Sequence, residues 1–325
     1  IEAGGEAINL GQLISRGGSV GMFGAALTQA GRISATGAHR TEDGRIVLRG
    51  SKSVTLTAQS ETSAQTADGT GGSIDISAPE VKVDAGGLVD ASGTAGGRIE
   101  VSAEQRATVE GTLRAVGRVD SGPAAGTPAP VAPTAPTPAV GDDIDLPVTA
   151  AGPAPVAPAS APLGRGGDIV VTAETVVLDG DAVLDASGDA GGGSILVGGD
   201  WQGANAEVRN ARISWVGHGV SLLSDALLKG DGGKVVVWAD EATAFAGSIW
   251  ARGGREGGDG GQVEVSGKVA LLYRGRTDTR AERGRNGELL LDPLAIILQG
   301  GSGDGSTDGS QLFRSGATPG TITAD

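Results

Sequence analysis

Two pairs of carboxylates recur at one spacing, Asp84/Asp90 and Asp179/Asp185. Paired carboxylates are the equipment of glycoside hydrolysis. Both pairs, however, sit in stretches that match without a gap, Gly71–Ala95 and Gly166–Ala190, where Ile74, Ile76 and Val81 meet Ile169, Val171 and Val176. A catalytic pair is present once, so these aspartates read as turn formers. Gly17-Gly18-Ser19-Val20-Gly21 fits G-x-S-x-G, but a nucleophile elbow needs a strand, a tight turn and then a helix. Ser19 instead shares a strand-start position with Ser73 and Ser194. His39 and His218 are the two histidines, both in Gly-rich corners, and read as surface residues. The stretch Gly300–Asp308 is one residue away from the calcium-binding nonapeptide repeat, with Gly305 where an Asp belongs, and it occurs once. Lys229-Gly230-Asp231 spells an integrin-type tripeptide in a turn, where chance explains it. With no Cys, disulfides and thiolate metal sites are excluded. No catalytic residue, metal site or cofactor is expected.

Two groups remain as candidates for binding. Arg252, Arg255, Lys268, Arg274 and Arg276 gather near Glu256 and Asp259, the set that a polysaccharide lyase or hydrolase would need. All four tryptophans lie between positions 201 and 250. Strand alternation turns Trp238 and Trp250 outward. Exposed indoles stack on sugars, so Trp201, Trp238 and Trp250 are candidate surface contacts. The competing reading is that they pack against the 200–205 stretch.

The elements that must position these residues follow from a repeated motif: Gly, a polar residue, then apolar-x-apolar. It starts at Gly18, Gly44, Gly72, Gly97, Gly167, Gly193, Gly233, Gly261 and Gly287, and six of the eight spacings lie between 25 and 28. Self-similarity at that period indicates a solenoid. Period-two alternation of Val and Ile indicates strands. Each unit holds three short runs, such as Ile74–Ile76, Val81–Val83 and Leu88–Ala91. Three strands per unit predict an all-β chain folded as a parallel β-helix of about nine coils. With 59 Gly, three Phe, four Trp and one Tyr, the core must be narrow and aliphatic. The corner glycines are expected at positive φ.

Two long spacings mark insertions. One, Ser121–Leu163, is rich in Pro and Ala and reads as a loop thrown out of a continuous helix, or as an arm packed along one face. The other carries Gly199–Asn205, placed between the first and second strands of its coil. The outward column Gly21, Val47, Asp75, Glu100, Val170, Leu196, Val236, Glu264, Leu290 is too apolar to be bare. The Pro-rich arm or a neighbouring molecule is expected to cover part of it. Residues 300–325 read as a Gly/Ser-rich tail or the start of further coils.

A net charge of −14 argues against nucleic-acid binding, and no apolar run reaches the length of a membrane span. No signal peptide is seen, and both termini fall in mid-pattern, as in a fragment of a longer protein.

From Gly191 to Ile297 the order of motifs becomes specific. Gly198-Gly-Asp-Trp-Gln-Gly203 is followed by Gly230-Asp-Gly-Gly-Lys-Val-Val-Val-Trp-Ala-Asp240, Phe245-Ala-Gly-Ser-Ile-Trp-Ala-Arg-Gly-Gly254, Gly257–Lys268 and Glu288-Leu-Leu-Leu-Asp-Pro293. This order resembles filamentous-haemagglutinin-type exoproteins of two-partner secretion, including the high-molecular-weight adhesins. The resemblance implies a right-handed β-helix, and export through a dedicated outer-membrane secretion pore. It also implies display on, or release from, the surface of a Gram-negative cell. It carries no catalytic residues. The family's secretion domain, with its Asn-Pro signatures, is not recognisable, so pore recognition is expected outside this chain. The expected role is a non-enzymatic adhesin or fibre segment, a rod that contacts glycans, a cell-surface receptor or sister fibres. The alternative is a polysaccharide-active or glycan-binding β-helix.

Overall fold

A computed structural model describes residues 5–16, 18–36, 44–118, 163–292, 296–298 and 321–322. The insertion at 121–162, His39, the 300–308 motif and most of the tail lie outside the described residues.

The chain is a parallel β-helix with its strands in two sheets. One coil after another lays a strand beside its predecessor in the same direction. In the first four coils the first and second runs merge into one long strand each: Ser19–Gln29, Arg45–Leu56, Ser73–Val83 and Arg98–Val109. Register slips in mid-strand, as between Ala78 and Glu80, let these strands bend round the core. In the next four coils the two runs separate, as in Asp168–Thr172 with Thr175–Leu178 and Lys234–Ala239 with Ala242–Phe245. A third strand of three residues closes each of these eight coils, from Arg32–Ser34 to Arg276–Asp278. These third strands form the second sheet. Glu6–Asn9 and Gln12–Ile14 belong to a coil before the first motif, and Thr321–Ile322 pairs antiparallel with Glu288–Leu290.

The strands on either side of the Pro-rich segment pair directly. Arg98 faces Asp168, Val101 faces Val171, and Thr112 faces Val183. The stack therefore runs through that point without a missing rung.

Core side chains stack in columns because the register hardly moves. Ile46, Ile74, Ile99, Ile169, Ile195, Val235 and Val263 form one column, each fully buried. The third strands supply another, with Ile33, Val89, Leu113, Leu184, Leu222 and Ile249. Burying each such side chain contributes about 1.5–3 kcal/mol, and every coil needs its neighbours to do so.

The motif glycines are not at positive φ, contrary to expectation; among the described residues the positive-φ glycines are Gly86, Gly180, Gly191, Gly198, Gly199, Gly203, Gly230, Gly257 and Gly258. The motif glycines are glycine for a different reason, close approach. A Cβ on Gly97 would lie 2.1 Å from the Gly72 carbonyl oxygen, and one on Gly167 would lie 2.0 Å from that of Gly97. The same contact recurs at Gly193, Gly233, Gly261 and Gly287 at 2.0–2.2 Å. The backbone of one coil rests on the next, and no side chain fits between.

Gly167→Ala is expected to lower stability by about 3 kcal/mol or more, the range of severe overpacking. Gly11→Ala, where a Cβ meets nothing within 4 Å, should change it little. Denaturant midpoints of the two variants check this, and equal midpoints would contradict the close-approach account.

Candidate functional site

The place where the repeat is broken and still described is the 198–212 loop. It leaves the strand Ser194–Val197 and returns at Ile213–Val216, between the first and second strands of its coil as expected. Gly198 at φ 70 and Gly199 at φ 152 turn the chain away from the stack. Asp200 then caps one turn of 3-10 helix, Trp201–Gly203, its Oδ1 accepting the Trp201 N–H at 2.7 Å. Its Oδ2 accepts from Asn205 Nδ2 at 2.8 Å, and Lys234 pairs with Oδ1 from the strand of the next coil. Burial works to raise the Asp200 carboxyl, but Lys234, Asn205 and the Trp201 amide together hold it below the usual range.

The loop lies flat on Trp238. A Cβ at Gly203 would meet the indole at 2.5 Å, and one at Gly199 would meet it at 2.7 Å. Both positions must therefore be glycine for the loop to settle. Trp238 donates its Nε1–H to Asp240 at 3.2 Å, and Asn210 ties Gly203 O to the same carboxylate. Arg209 reaches further, donating to the carbonyl of Ala103 at 3.0 Å.

Under the loop lies a small second core of Val170, Leu196, Val236 and Trp238, with Trp201 and Val208 against it. The apolar outward column is thus covered in these coils. The cover seen there is the 198–212 loop; the Pro-rich arm, expected as one candidate cover, lies outside the described residues. The loop's own Trp and Val make it an apolar lid.

Glu264 interrupts this strip in an unusual state. It is fully buried, in register between Val236 and Leu290. Its Oε2 accepts the Gln202 N–H at 2.8 Å, while Oε1 has no partner among the described residues. Burial pushes its carboxyl up, Asp292 adds to the push, and the Gln202 amide, Ser266 and Lys234 pull the other way.

The tryptophans divide. Trp238 is 5% exposed, so it offers no ring to a surface ligand. It points out of the β-helix core as expected, but into the lid. Trp201 is half-buried in the loop, and Trp250 is half-buried on the second sheet between Leu223 and Asp278. The exposed indole is Trp215, at 48%. Strand alternation already places it outward, between inward Ser214 and Val216.

The basic residues do not gather into one site. Arg252 and Arg255 follow the strand Ser248–Trp250, Lys268 lies between Gln262–Gly267 and Ala270–Tyr273, and Arg274 and Arg276 stand at the next corner. Arg252 is held by Asp225 through a 2.6 Å ion pair, which raises its pKa. Arg280 instead joins Arg252 and Arg255 around a cavity of about 390 Å³. The aspartates behave as turn formers: Asp90 accepts the Ser92 N–H and Asp185 the Ser187 N–H, each at 2.9 Å. Ser19 opens a strand, and His218 is exposed in a turn. Among the described residues no three His, Asp or Glu side chains are placed to hold a metal, and no helix is long and apolar enough to cross a membrane.

No protein-family model and no curated protein matches this chain. Among solved structures it is similar to the crystal structure of the HMW1 secretion domain from Haemophilus influenzae, with 20% identity and a TM-score of 0.56. The match covers 88% of this chain and 66% of that one. At this identity the likeness is one of fold, the stacked parallel β-helix.

The folded value of Glu264 lies above its unfolded one, so folding takes up a proton between them. The stability it confers is full below about pH 4.3 and is lost as pH rises through the folded value. Glu264→Gln is expected to flatten that fall and to gain about 1 kcal/mol at pH 8. Denaturation curves at pH 4, 6 and 8 for both proteins test this. An unchanged pH profile in the variant would remove Glu264 from the account.

Proposed function

We propose that this chain is part of a secreted or surface-displayed adhesin or extracellular fibre of a Gram-negative bacterium, acting as a non-enzymatic rod. The observation that supports it best is the unbroken parallel stack, shared in fold with the secretion domain of an HMW1 protein. A stacked β-helix suits export. Each coil gains its core only against the previous one, so a chain emerging from a pore can add rungs without an energy source. The lack of Cys fits passage as an unfolded chain. The partner would be an outer-membrane pore of the two-partner type. The sequence holds no Asn-Pro pair, and on this reading pore recognition would fall to another part of the protein. Contact with a receptor, a glycan or a sister fibre would then fall to outward columns and to breaks in the repeat.

The full-length protein is expected at the cell surface or in the medium only when its pore partner is present. Protease accessibility on intact cells, with and without the pore gene, measures this. Beads coated with the purified chain should attach to cells or matrix. Retention inside the cell with the pore present, or no attachment to any surface, would count against the reading. Turnover of an acidic polysaccharide that is lost in Arg274→Ala would favour the enzymatic alternative.

A further inference from the structure

The second strands of coils four to eight carry an outward column that no described strand or loop covers. Thr108 pairs with Val177, Val177 with Trp215, Trp215 with Ala244, and Ala244 with Leu272. Beside it runs a second column, Thr175, Ile213, Ala242 and Ala270. Trp215 is 48% exposed, while its strand neighbours Ser214 and Val216 are buried. The core makes no use of this indole, and a large apolar side chain left in water on a regular sheet needs another reason.

The register gives the indole a shaped surrounding. Ala244 ends at its Cβ, so the next full-sized side chain in the column is Leu272. Two rungs separate Leu272 from Trp215, about 9.6 Å by strand spacing. The space over Ala244 and Ala242 is a shallow platform with an aromatic side chain at one end and an aliphatic one at the other. Carbon atoms in contact lie about 3.5–4 Å apart. One saturated six-membered ring therefore fits there and touches both.

The rim of the platform is polar. Arg212 holds Glu241 at 2.7 Å and Glu174 at 3.4 Å along one edge. Arg274 stands exposed at the other edge and pairs with none of the described carboxylates. Together they offer acceptors and donors to ring hydroxyls on both sides of an apolar floor.

Area separates two occupants. Three rungs by four residues give roughly 200 Å², whereas a stable interface with a second copy takes about 800 Å² per partner. The platform has the size of a small ligand.

We propose that Trp215, Ala244 and Leu272 form a carbohydrate site that takes one pyranose ring with its apolar face on the indole. The site rests on the reading of the chain as a surface attachment rod and gives that rod a ligand class.

The full 325-residue chain would be applied to an array with animal glycans on one part and bacterial surface polysaccharides on the other. The native protein should bind at least one ligand, and the part of the array that responds tells the two sources apart. Trp215→Ala should weaken binding tenfold or more. Ala244→Leu fills the platform from an outward position while keeping the tryptophan, and should weaken it as much. Trp250→Ala should leave it unchanged. No binding by the native chain, or equal binding by all variants, overturns the site. So does a concentration-dependent dimer, seen by sedimentation, that is lost in Trp215→Ala, because the platform would then belong to a second copy. Bead attachment is measured in parallel. If native and variants attach equally and no glycan binds, the site falls and the rod reading stands. If glycan binding depends on Trp215 but no surface is bound, the rod reading falls and the site stands.

Discussion

Everything in this molecule depends on how closely one coil approaches the next at the motif glycine. There the backbone of one coil lies against the carbonyl of the previous one, with no room for a Cβ. That contact holds the spacing of rungs to the strand separation of a sheet, about 4.8 Å. It also locks the register, because a slip would bring a side chain into the corner. Locked register turns sequence positions into columns, and columns decide what is core and what is surface. A narrow aliphatic interior needs few aromatics, and the tight corners need many glycines. The composition is thus a consequence of the corner contact.

The 198–212 loop shows how an insertion is fitted without disturbing that spacing. It leaves and re-enters inside one coil, and the strands on both sides keep their partners. The loop accepts some strain, since Gln202 adopts φ 55 without being glycine, a conformation costing on the order of 1 kcal/mol. In return its amide reaches Glu264 and its apolar residues cover Val170, Leu196 and Val236. Glu264 interrupts an otherwise aliphatic strip because the lid needs an acceptor there.

The fold was legible because its signals are periodic. Nine glycines at near-constant spacing, each before an apolar-x-apolar run, define the coil and its strands. The place of the 199–205 insertion also followed from spacing, and so did the need for a cover on Val170, Leu196 and Val236. What spacing cannot carry is contact between positions far apart in sequence. That Gly203 rests on Trp238, or that Gln202 meets Glu264, depends on a path through a loop with no repeat to align it. The glycines were legible as special, but two reasons for glycine look alike in a string of letters. Positive φ alone holds at Gly257, whereas exclusion of a Cβ holds at Gly97. The basic residues from Arg252 to Arg276 look clustered in the chain, yet each corner of the coil turns them to a different side. Trp215 was not singled out, although the alternation of its strand carried the signal. Its exposure became plain only when the loop was seen to cover Trp238 and not it.

The direct pairing of Arg98–Val109 with Asp168–Thr172 and Thr175–Leu178 has a bearing on what the peptide between them does. The two portions of the rod are joined by ladder hydrogen bonds, by shared core columns and by the tie from Arg209 to Ala103. None of these passes through residues 119–162. The covalent connection there is topologically redundant once the stack has formed. A chain cut between those positions would be two polypeptides held as one rod by non-covalent contacts alone, and its integrity would come to depend on concentration. Length and sequence in that segment are thereby freed from the demands of folding, and selection can shape them for other ends.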